Sequence, residues 1–379
     1  MSKKTILVVD TQIEGHHVLW LYLVANSLFE FGYNVIMLVN NNVNEVSRRL
    51  SILDIAFSNK VTILPSRYDK KQSLSVYWQD LVMVFNHHHC DEVLFNNFDT
   101  IASNVFRKAT FGLLPPKTLR GKISAIYHRP RPLDPSQRGF SNLWKSYGCN
   151  VIIKSGFVKH LWLLDPSVVS RIQEKGTVAC SFIPDPWCIS AESTQPKEIV
   201  SVDRQKIHLL QYGVGDKRKG TLLLLNALSN TKNNKIHIWL AGKQVDHEVL
   251  TLAQSLVEKG VLTLIDRYVT ESEERWLFEN CTWVTLPYLS HYGSSNLLSK
   301  AAKFVKPVIA SNFHLIGRNV TNYNLGVCFQ DQSIDSLTST LDELSNIKTE
   351  QFAASLDKFA DRYSLTNFRN ALAVNFPRN

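Results

Sequence analysis

Two short stretches combine cations, glycines and helix starts in a way suited to an anionic ligand. In the first, Lys217, Arg218 and Lys219 stand directly before Gly220, and GTLLLLNAL at 220–228 opens a helical pattern. A helix leaves its first backbone N–H groups unpaired, and its N-terminus carries partial positive charge. Lys219 is therefore the leading candidate for a phosphate contact. Arg218 offers a planar fork of donors, and Lys217 is a further alternate. In the second stretch, His291-Tyr292-Gly293-Ser294-Ser295-Asn296 lies between a strand pattern and a helix pattern. Gly293 lets a backbone approach a ligand closely. Ser294 or Ser295 can cap the helix, and the amides around them can receive phosphate or sugar oxygens. Lys300, one to two turns further on, is a possible additional anion contact. Nearer the start of the chain, His128 ends an apolar run and precedes Arg129-Pro130-Arg131-Pro132. A histidine there can donate to a hydroxyl or poise a neighbour, and the prolines hold both arginines in an extended loop. Gly15, His16 and His17 form the first loop, but one glycine is not a dinucleotide fingerprint. Asp10 and Asp99 are strand-end carboxylates with no spacing that makes them a close hydrolytic pair. The run His87-His88-His89-Cys90 lacks metal-site spacing and reads as a helix end.

The elements that must carry these residues alternate between two periodicities. ILVVD (6–10), NVIMLV (34–39), VTILP (61–65), DEVLFNN (91–97), KISAIYH (122–128) and NVIIKSG (150–156) read as buried strands. VLWLYLVANSLFEF (18–31), 43–56 and 70–90 read as helices, and a helical stretch holding Trp162 is expected after Gly156. Residues 191–204 are polar and weakly patterned, as a linker is. The alternation then restarts, with strands at 206–213, 235–242, 262–265, 282–288, 307–311 and 326–330 separated by helices. Strand–helix–strand repetition builds parallel, doubly wound sheets, whose ligands gather beyond the carboxyl ends of the strands. The expected domains are 1–190, Rossmann-like and acceptor-side, and 205–360, Rossmann-like and ligand-binding. A C-terminal helical segment, 361–379, packs back on the first.

A chain of 379 residues accommodates two such domains. Its 44% hydrophobic and 20% charged content is globular. The net charge of +9 favours anionic partners, yet there is no dense basic tract or reader module of the kind nucleic acid requires. Six scattered cysteines without a C-x-x-C pair read as reduced thiols, with Cys180 and Cys188 the one pair close enough for a small loop disulfide. The opening MSKKTILVVD reads as a first strand rather than a signal peptide, and no apolar run reaches a membrane span. The expected location is cytoplasmic, with peripheral contact at the inner face of the membrane.

The second half resembles the retaining glycosyltransferases of the GT-B fold, of the glycogen-synthase and bacterial-polysaccharide type (glycosyltransferase family 4-like). The features that carry the resemblance are YGVGDKRKG at 212–220, IWLAG at 238–242, and LPYLSHYGSSNLLSKAAKFVKPVIAS at 286–311. EGHH at 14–17 and FGYNV at 31–35 extend it to the start. The resemblance implies two facing Rossmann-like domains with a ligand cleft between them. It implies a nucleoside-diphosphate sugar donor, a hydroxyl acceptor such as a lipid-linked glycan, retention of configuration, and no metal or tightly bound cofactor. It makes Lys219 the phosphate-binding lysine and Gly213 part of the donor loop. It also makes Gly15 the close-approach glycine, His16 an acceptor contact and His128 the histidine beside the transferred sugar. The sequence departs from the pattern at Val214, where members carry arginine. It also lacks two glutamates separated by seven residues, whose places fall on Tyr292 and Lys300 or on Ser290 and Leu298. Those departures leave two other readings open, a nucleotide-sugar-binding protein without turnover and a nucleotide-sugar epimerase on the same fold.

Overall fold

The computed structural model describes residues 3–12, 17–67, 73–134, 136–137, 139–176, 178–189 and 191–378. The chain divides into two compact units, residues 1–183 with 369–379, and residues 184–368. Residues 191–204 lie within the second unit, and the chain returns to the first at Arg369.

Unit 1 is built on seven strands: β1 (Thr5–Asp10), β2 (Asn34–Val39), β3 (Thr62–Pro65), β4 (Glu92–Phe95), β5 (Ile123–Tyr127), β6 (Val158–Leu163) and β7 (Cys180–Phe182). They lie in the order β3-β2-β1-β4-β5-β6-β7, and every pairing is parallel. The intervening helices are α1 (His17–Glu30), α2 (Val43–Leu53), α3 (Ile55–Ser58), α4 (Leu74–His87), α5 (Asp99–Ala109), α6 (Phe140–Lys154) and α7 (Pro166–Lys175). A parallel sheet covered on both faces buries its strands completely, so they read as continuous apolar runs. β1, β4 and β5 do so: Ile6, Leu7, Val8, Val93, Leu94, Ala125 and Ile126 have no exposed surface.

Unit 2 has six strands: β8 (Ile207–Tyr212), β9 (Ile236–Ala241), β10 (Leu262–Ile265), β11 (Trp283–Leu286), β12 (Val308–Ser311) and β13 (Gly326–Phe329). Their order is β10-β9-β8-β11-β12-β13, again wholly parallel. Its helices are α8 (Thr221–Asn230), α9 (His247–Glu258), α10 (Glu271–Asn280), α11 (Asn296–Lys303), α12 (His314–Asn322), α13 (Ile334–Glu343), α14 (Ala353–Arg362) and α15 (Leu365–Ala373), the last crossing the unit boundary. Trp239 and Trp283, on neighbouring regions of the sheet, are only 1% exposed. α10 starts on a full capping box: Thr270 accepts from the Glu273 amide while Glu273 receives the Thr270 amide.

Two expectations for unit 1 are overturned. Residues 150–156 are not a strand but the last turns of α6 and its exit, and Trp162 lies on β6 rather than on a helix. The run Val151-Ile152-Ile153 suits either state locally. Tertiary packing decides it. A Cβ at Gly148 would stand 1.9 Å from the Phe106 carbonyl oxygen, so α6 lies backbone-close on α5 at that glycine. Cys149, Ile152 and Ile153 then form its buried stripe. Gly156, at φ +69°, follows the helix rather than a strand, so the loop after it is not a strand-end ligand loop. The six cysteines are all free thiols, which removes the Cys180–Cys188 bridge.

Candidate functional site

A doubly wound sheet opens a crevice where its strand order reverses, beyond the carboxyl ends of the two strands flanking the reversal. In unit 2 those strands are β8 and β11. The loop after β8 runs from Gly213 into a single 3-10 turn, Lys217–Lys219, capped by the Asp216 side chain, which accepts from the Lys219 amide at 3.0 Å. Gly220 follows at φ +68°, and a Cβ there would stand 1.8 Å from the Pro287 carbonyl oxygen. The β8 and β11 loops therefore meet backbone against backbone, which only glycine allows. Gly213, at φ +108°, is packed against Gly242 from the neighbouring strand. Its own Cβ position faces the Lys219 ammonium at 3.4 Å.

Lys219 Nζ donates to the Tyr288 hydroxyl at 2.7 Å and lies 4.6 Å from the centre of that ring. The Tyr288 hydroxyl is in turn 3.1 Å from Ser295 Oγ. Ser295 immediately precedes α11 and makes no side-chain cap bond to it, because its hydroxyl is engaged by Tyr288. Arg218 donates to His291 Nδ1 at 3.0 Å, and its second terminal nitrogen lies 3.3 Å from Asp216. Since His291 Nδ1 accepts from a guanidinium, its proton belongs on Nε2, which lies 3.1 Å from the Ser294 carbonyl oxygen. One ammonium, one guanidinium and the start of α11 thus converge on the switch point.

The remaining candidates in unit 2 are placed differently. Lys217 is exposed, and Gly293 is buried beside the buried Tyr292. Ser294 Oγ lies 3.5 Å from Asp185, while the Asn296 amide donates to the Pro186 carbonyl at 2.8 Å and ties the start of α11 to that prolyl turn. Lys300 is buried, with its ammonium 2.6 Å from Glu274 and both side chains nearly covered. Its charge is compensated inside the protein. Nearby, burial pushes the Cys188 thiol up to about 11, against the opposing pull of Lys300, which keeps it a neutral thiol at ordinary pH.

The reversal in unit 1 lies between β1 and β4. Asp10, at the end of β1, has a fully buried carboxylate. It receives His17 Nδ1 at 3.0 Å, the Asn96 amide at 2.7 Å and the Gln12 backbone N–H at 3.0 Å. The carboxylate can only accept, so Nδ1 of His17 carries the proton. Nε2 is then left to accept from Asn97, whose amide lies 3.4 Å away. The side-chain carbonyl oxygens of Asn96 and Asn97, both buried, find no donor among the described residues. Buried acceptors are normally paired, so this pair marks a place for a ligand hydroxyl or a water.

His128 stands over the same crevice. Asp99, in the first turn of α5, accepts from the backbone N–H groups of His128 and Arg129 at 2.8 and 3.0 Å, and lies 3.3 Å from Arg129 Nε. The His128 ring lies edge-on to Trp20, with 4.7 Å between ring centres, and places Nε2 3.3 Å from the Asn96 backbone carbonyl oxygen. Burial lowers the His128 pKa below the usual imidazole range, more strongly than Asp99 raises it. The ring is neutral at pH 7 with its proton on Nε2, which leaves Nδ1 able to accept. Gly15 and His16 lie outside the described residues.

The structure puts Lys219, Arg218, Ser294 and Ser295 on the two loops that meet, together with three partners that the sequence did not single out. Tyr288 carried no signal beyond an aromatic two residues past a strand. Glu274 is an ordinary first-turn acid of α10, and His17 was overshadowed by Gly15 and His16.

No protein-family model and no curated protein matches the chain. Solved structures do. Anabaena HepE in complex with UDP and glucose superposes with a TM-score of 0.67 at 14% identity, over 98% of this chain and 99% of that one. Sucrose-phosphate synthase from Thermosynechococcus elongatus gives a TM-score of 0.67 at 12% identity, over 99% and 98%. WaaG, a glycosyltransferase involved in lipopolysaccharide biosynthesis, gives 0.63 at 11% identity, over 99% and 100%. The fold is GT-B. Both Rossmann-like units belong to it, and a match of this length at such low identity concerns the fold alone. Among the described residues no helix is long and apolar enough to cross a membrane.

Proposed function

We propose that this GT-B protein is a glycosyltransferase that moves a sugar from a nucleoside-diphosphate sugar to a hydroxyl acceptor. The observation that carries this reading is the chain Lys219–Tyr288–Ser295, which joins the β8 and β11 loops at the switch point of unit 2. A diphosphate leaving group gains negative charge as its bond to the sugar breaks, and fixed cations and backbone amides lower that barrier. Lys219, Arg218 and the first amides of α11 are suited to this role. They supply positive charge at the place where a metal would otherwise act, so the reaction needs no metal. UDP is the first nucleotide to test, because the HepE structure was solved with it.

In this reading unit 1 is the acceptor side. His128 donates or accepts at a sugar hydroxyl, and Arg129, gripped by Asp99, contacts a phosphate. The step is a substitution at the anomeric carbon with retained configuration. The carbon–oxygen bond to the diphosphate breaks, a new bond to the acceptor oxygen forms on the same face, and the acceptor proton passes to the departing phosphate oxygen. No protein base is compulsory, which fits a site whose acids are committed to internal partners. The basic surplus supports a lipid-linked glycan as acceptor and work at the inner face of the membrane, in polysaccharide or glycolipid assembly.

The test is product analysis after incubation with UDP-sugars, with and without a panel of glycan and lipid-linked acceptors. Acceptor-dependent release of UDP, with the product bond in the donor's configuration, supports the proposal. Nucleotide binding without release across the panel makes it a binding protein, acceptor-independent conversion of the donor makes it an epimerase, and an inverted product rejects retention.

A further inference from the structure

Most of the exposed aromatic side chains among the described residues of unit 1 gather at one place, where the end of α5 meets the start of α6. Phe140 is 80% exposed, Phe111 71% and Tyr147 62%, with Leu113, Leu143 and Trp144 also on the surface. Phe111, Trp144 and Phe140 form one patch. The Trp144 ring lies 5.9 Å from Phe111 and 6.3 Å from Phe140, and its indole N–H donates to Thr110 Oγ1 at 2.9 Å, fixing the ring across the two helices. Phe140, Trp144 and Tyr147 share one face of α6, four and three residues apart. The α5–α6 pair is held rigidly by the close approach at Gly148. Leaving these rings in water-facing positions gains nothing for the fold, and contiguous exposed apolar surface marks an interaction site.

The charge around the patch identifies the partner. Residues 100–164 hold eleven lysines and arginines against one acid, Asp134. That acid is buried and paired with Arg171. Two of those cations pair with acids outside the segment, Arg129 with Asp99 and Lys159 with Glu92. Lys108 and Arg107 close α5 just before Phe111, Lys117 follows the Pro115-Pro116 step, and Lys145 is next to Trp144. Among the described residues no carboxylate pairs with any of these four side chains. Aromatic rings seated among uncompensated cations match the interface of an anionic bilayer. There the rings enter the headgroup boundary and the cations meet lipid phosphates.

We propose that the Phe111–Trp144–Phe140 patch docks unit 1 onto anionic membrane surfaces. This locates the membrane contact of the proposed function on specific residues, but it does not depend on the chemistry of unit 2. A second copy of the chain is the rival occupant, and it is disfavoured because it would set the same cations against each other.

The test is co-sedimentation of the full chain with vesicles of phosphatidylcholine alone or with roughly 30% phosphatidylglycerol. Wild type should bind the anionic vesicles and release them at high salt. Each cation at such a surface is worth about fivefold in partitioning, so Lys108→Gln, Lys117→Gln and Lys145→Gln together should weaken binding about a hundredfold. Phe111→Ser with Phe140→Ser should weaken it by about tenfold or more. Neutralising Lys232, Lys235 and Lys348 in unit 2 should leave it unchanged. UDP-induced thermal stabilisation, read on every variant, reports folding and the unit 2 site separately. Failure of wild type to bind anionic vesicles overturns the proposal, as does binding that survives both patch variants. Sedimentation velocity showing a dimer that the Phe111/Phe140 variant dissolves would assign the patch to a second copy instead.

Discussion

Replacing Lys219 by methionine keeps the side-chain stem and removes only the ammonium. In the free protein that ammonium holds one hydrogen bond to Tyr288 and a place beside its ring, partly exposed contacts worth about 1 kcal/mol together. The cost to folding should therefore stay near 1 kcal/mol. The cost to a bound diphosphate is larger, because a charge-assisted hydrogen bond contributes about 1.5–3 kcal/mol. That corresponds to roughly tenfold to 150-fold weaker UDP binding. Calorimetric titration with UDP gives the affinity, and urea unfolding gives the stability. Tyr288→Phe serves as the internal comparison. It removes the link to Ser295 but leaves the cation in place, so it should weaken UDP only severalfold. Unchanged UDP affinity in Lys219→Met, or a greater loss in Tyr288→Phe than in Lys219→Met, would refute the reasoning.

His128→Asn should lower turnover at least tenfold while leaving UDP affinity within twofold, as steady-state kinetics beside titration will read. Because burial depresses the His128 pKa below its ordinary 6.5, the neutral ring persists as pH falls through that value. The rate limb owed to it should therefore fall only at a more acidic pH. In unit 2, Arg267 bridges Glu198 and Glu273 with four contacts of 2.7–2.8 Å, and the guanidinium holds Glu273 down to about 2. Arg267→Met should cost about 2–3 kcal/mol by urea unfolding at neutral pH. In wild type the Glu273 contribution is fully present above pH 4.5 and is lost as pH falls toward 2. His160, buried against Trp162 with Nε2 2.8 Å from Ser181, is pushed down to about 4. An unfolded chain takes up a proton on this histidine at higher pH than the folded one. Stability should therefore drop by up to about 3 kcal/mol between pH 6.5 and 4, a slope that His160→Gln removes.

Much of the fold was legible because parallel strands and crossover helices impose different apolar periods. The short apolar runs at 6–10, 34–39 and 206–213, set between longer helical patterns, read as interior strands. The strand-end loops followed from that alternation, and the Lys219 loop from a cation placed before a glycine and a helix. What stayed illegible depends on contacts distant in sequence. α6 is helical where its last residues favour a strand, because Gly148 meets Phe106 forty-two residues away. Lys300 pairs with Glu274, twenty-six residues earlier, so a residue expected beside an anion has its charge met within the unit. Asp10 and His17 are seven positions apart, a spacing that gives no sign of folding the imidazole back onto the carboxylate. Asp99 looked like one more strand-end acid, yet it cradles the backbone of His128 and Arg129. Such pairings arise when the chain closes on itself, and local propensity holds no record of them.

The central claim is that the crevice between β8 and β11 takes the diphosphate of a nucleotide. A crystal structure of the full chain with UDP tests it most directly. The account predicts diphosphate oxygens within hydrogen-bond distance of Lys219 Nζ and of the first backbone amides of α11. UDP seated elsewhere on the molecule, with Lys219 still turned to Tyr288 and the start of α11 bare, would contradict it.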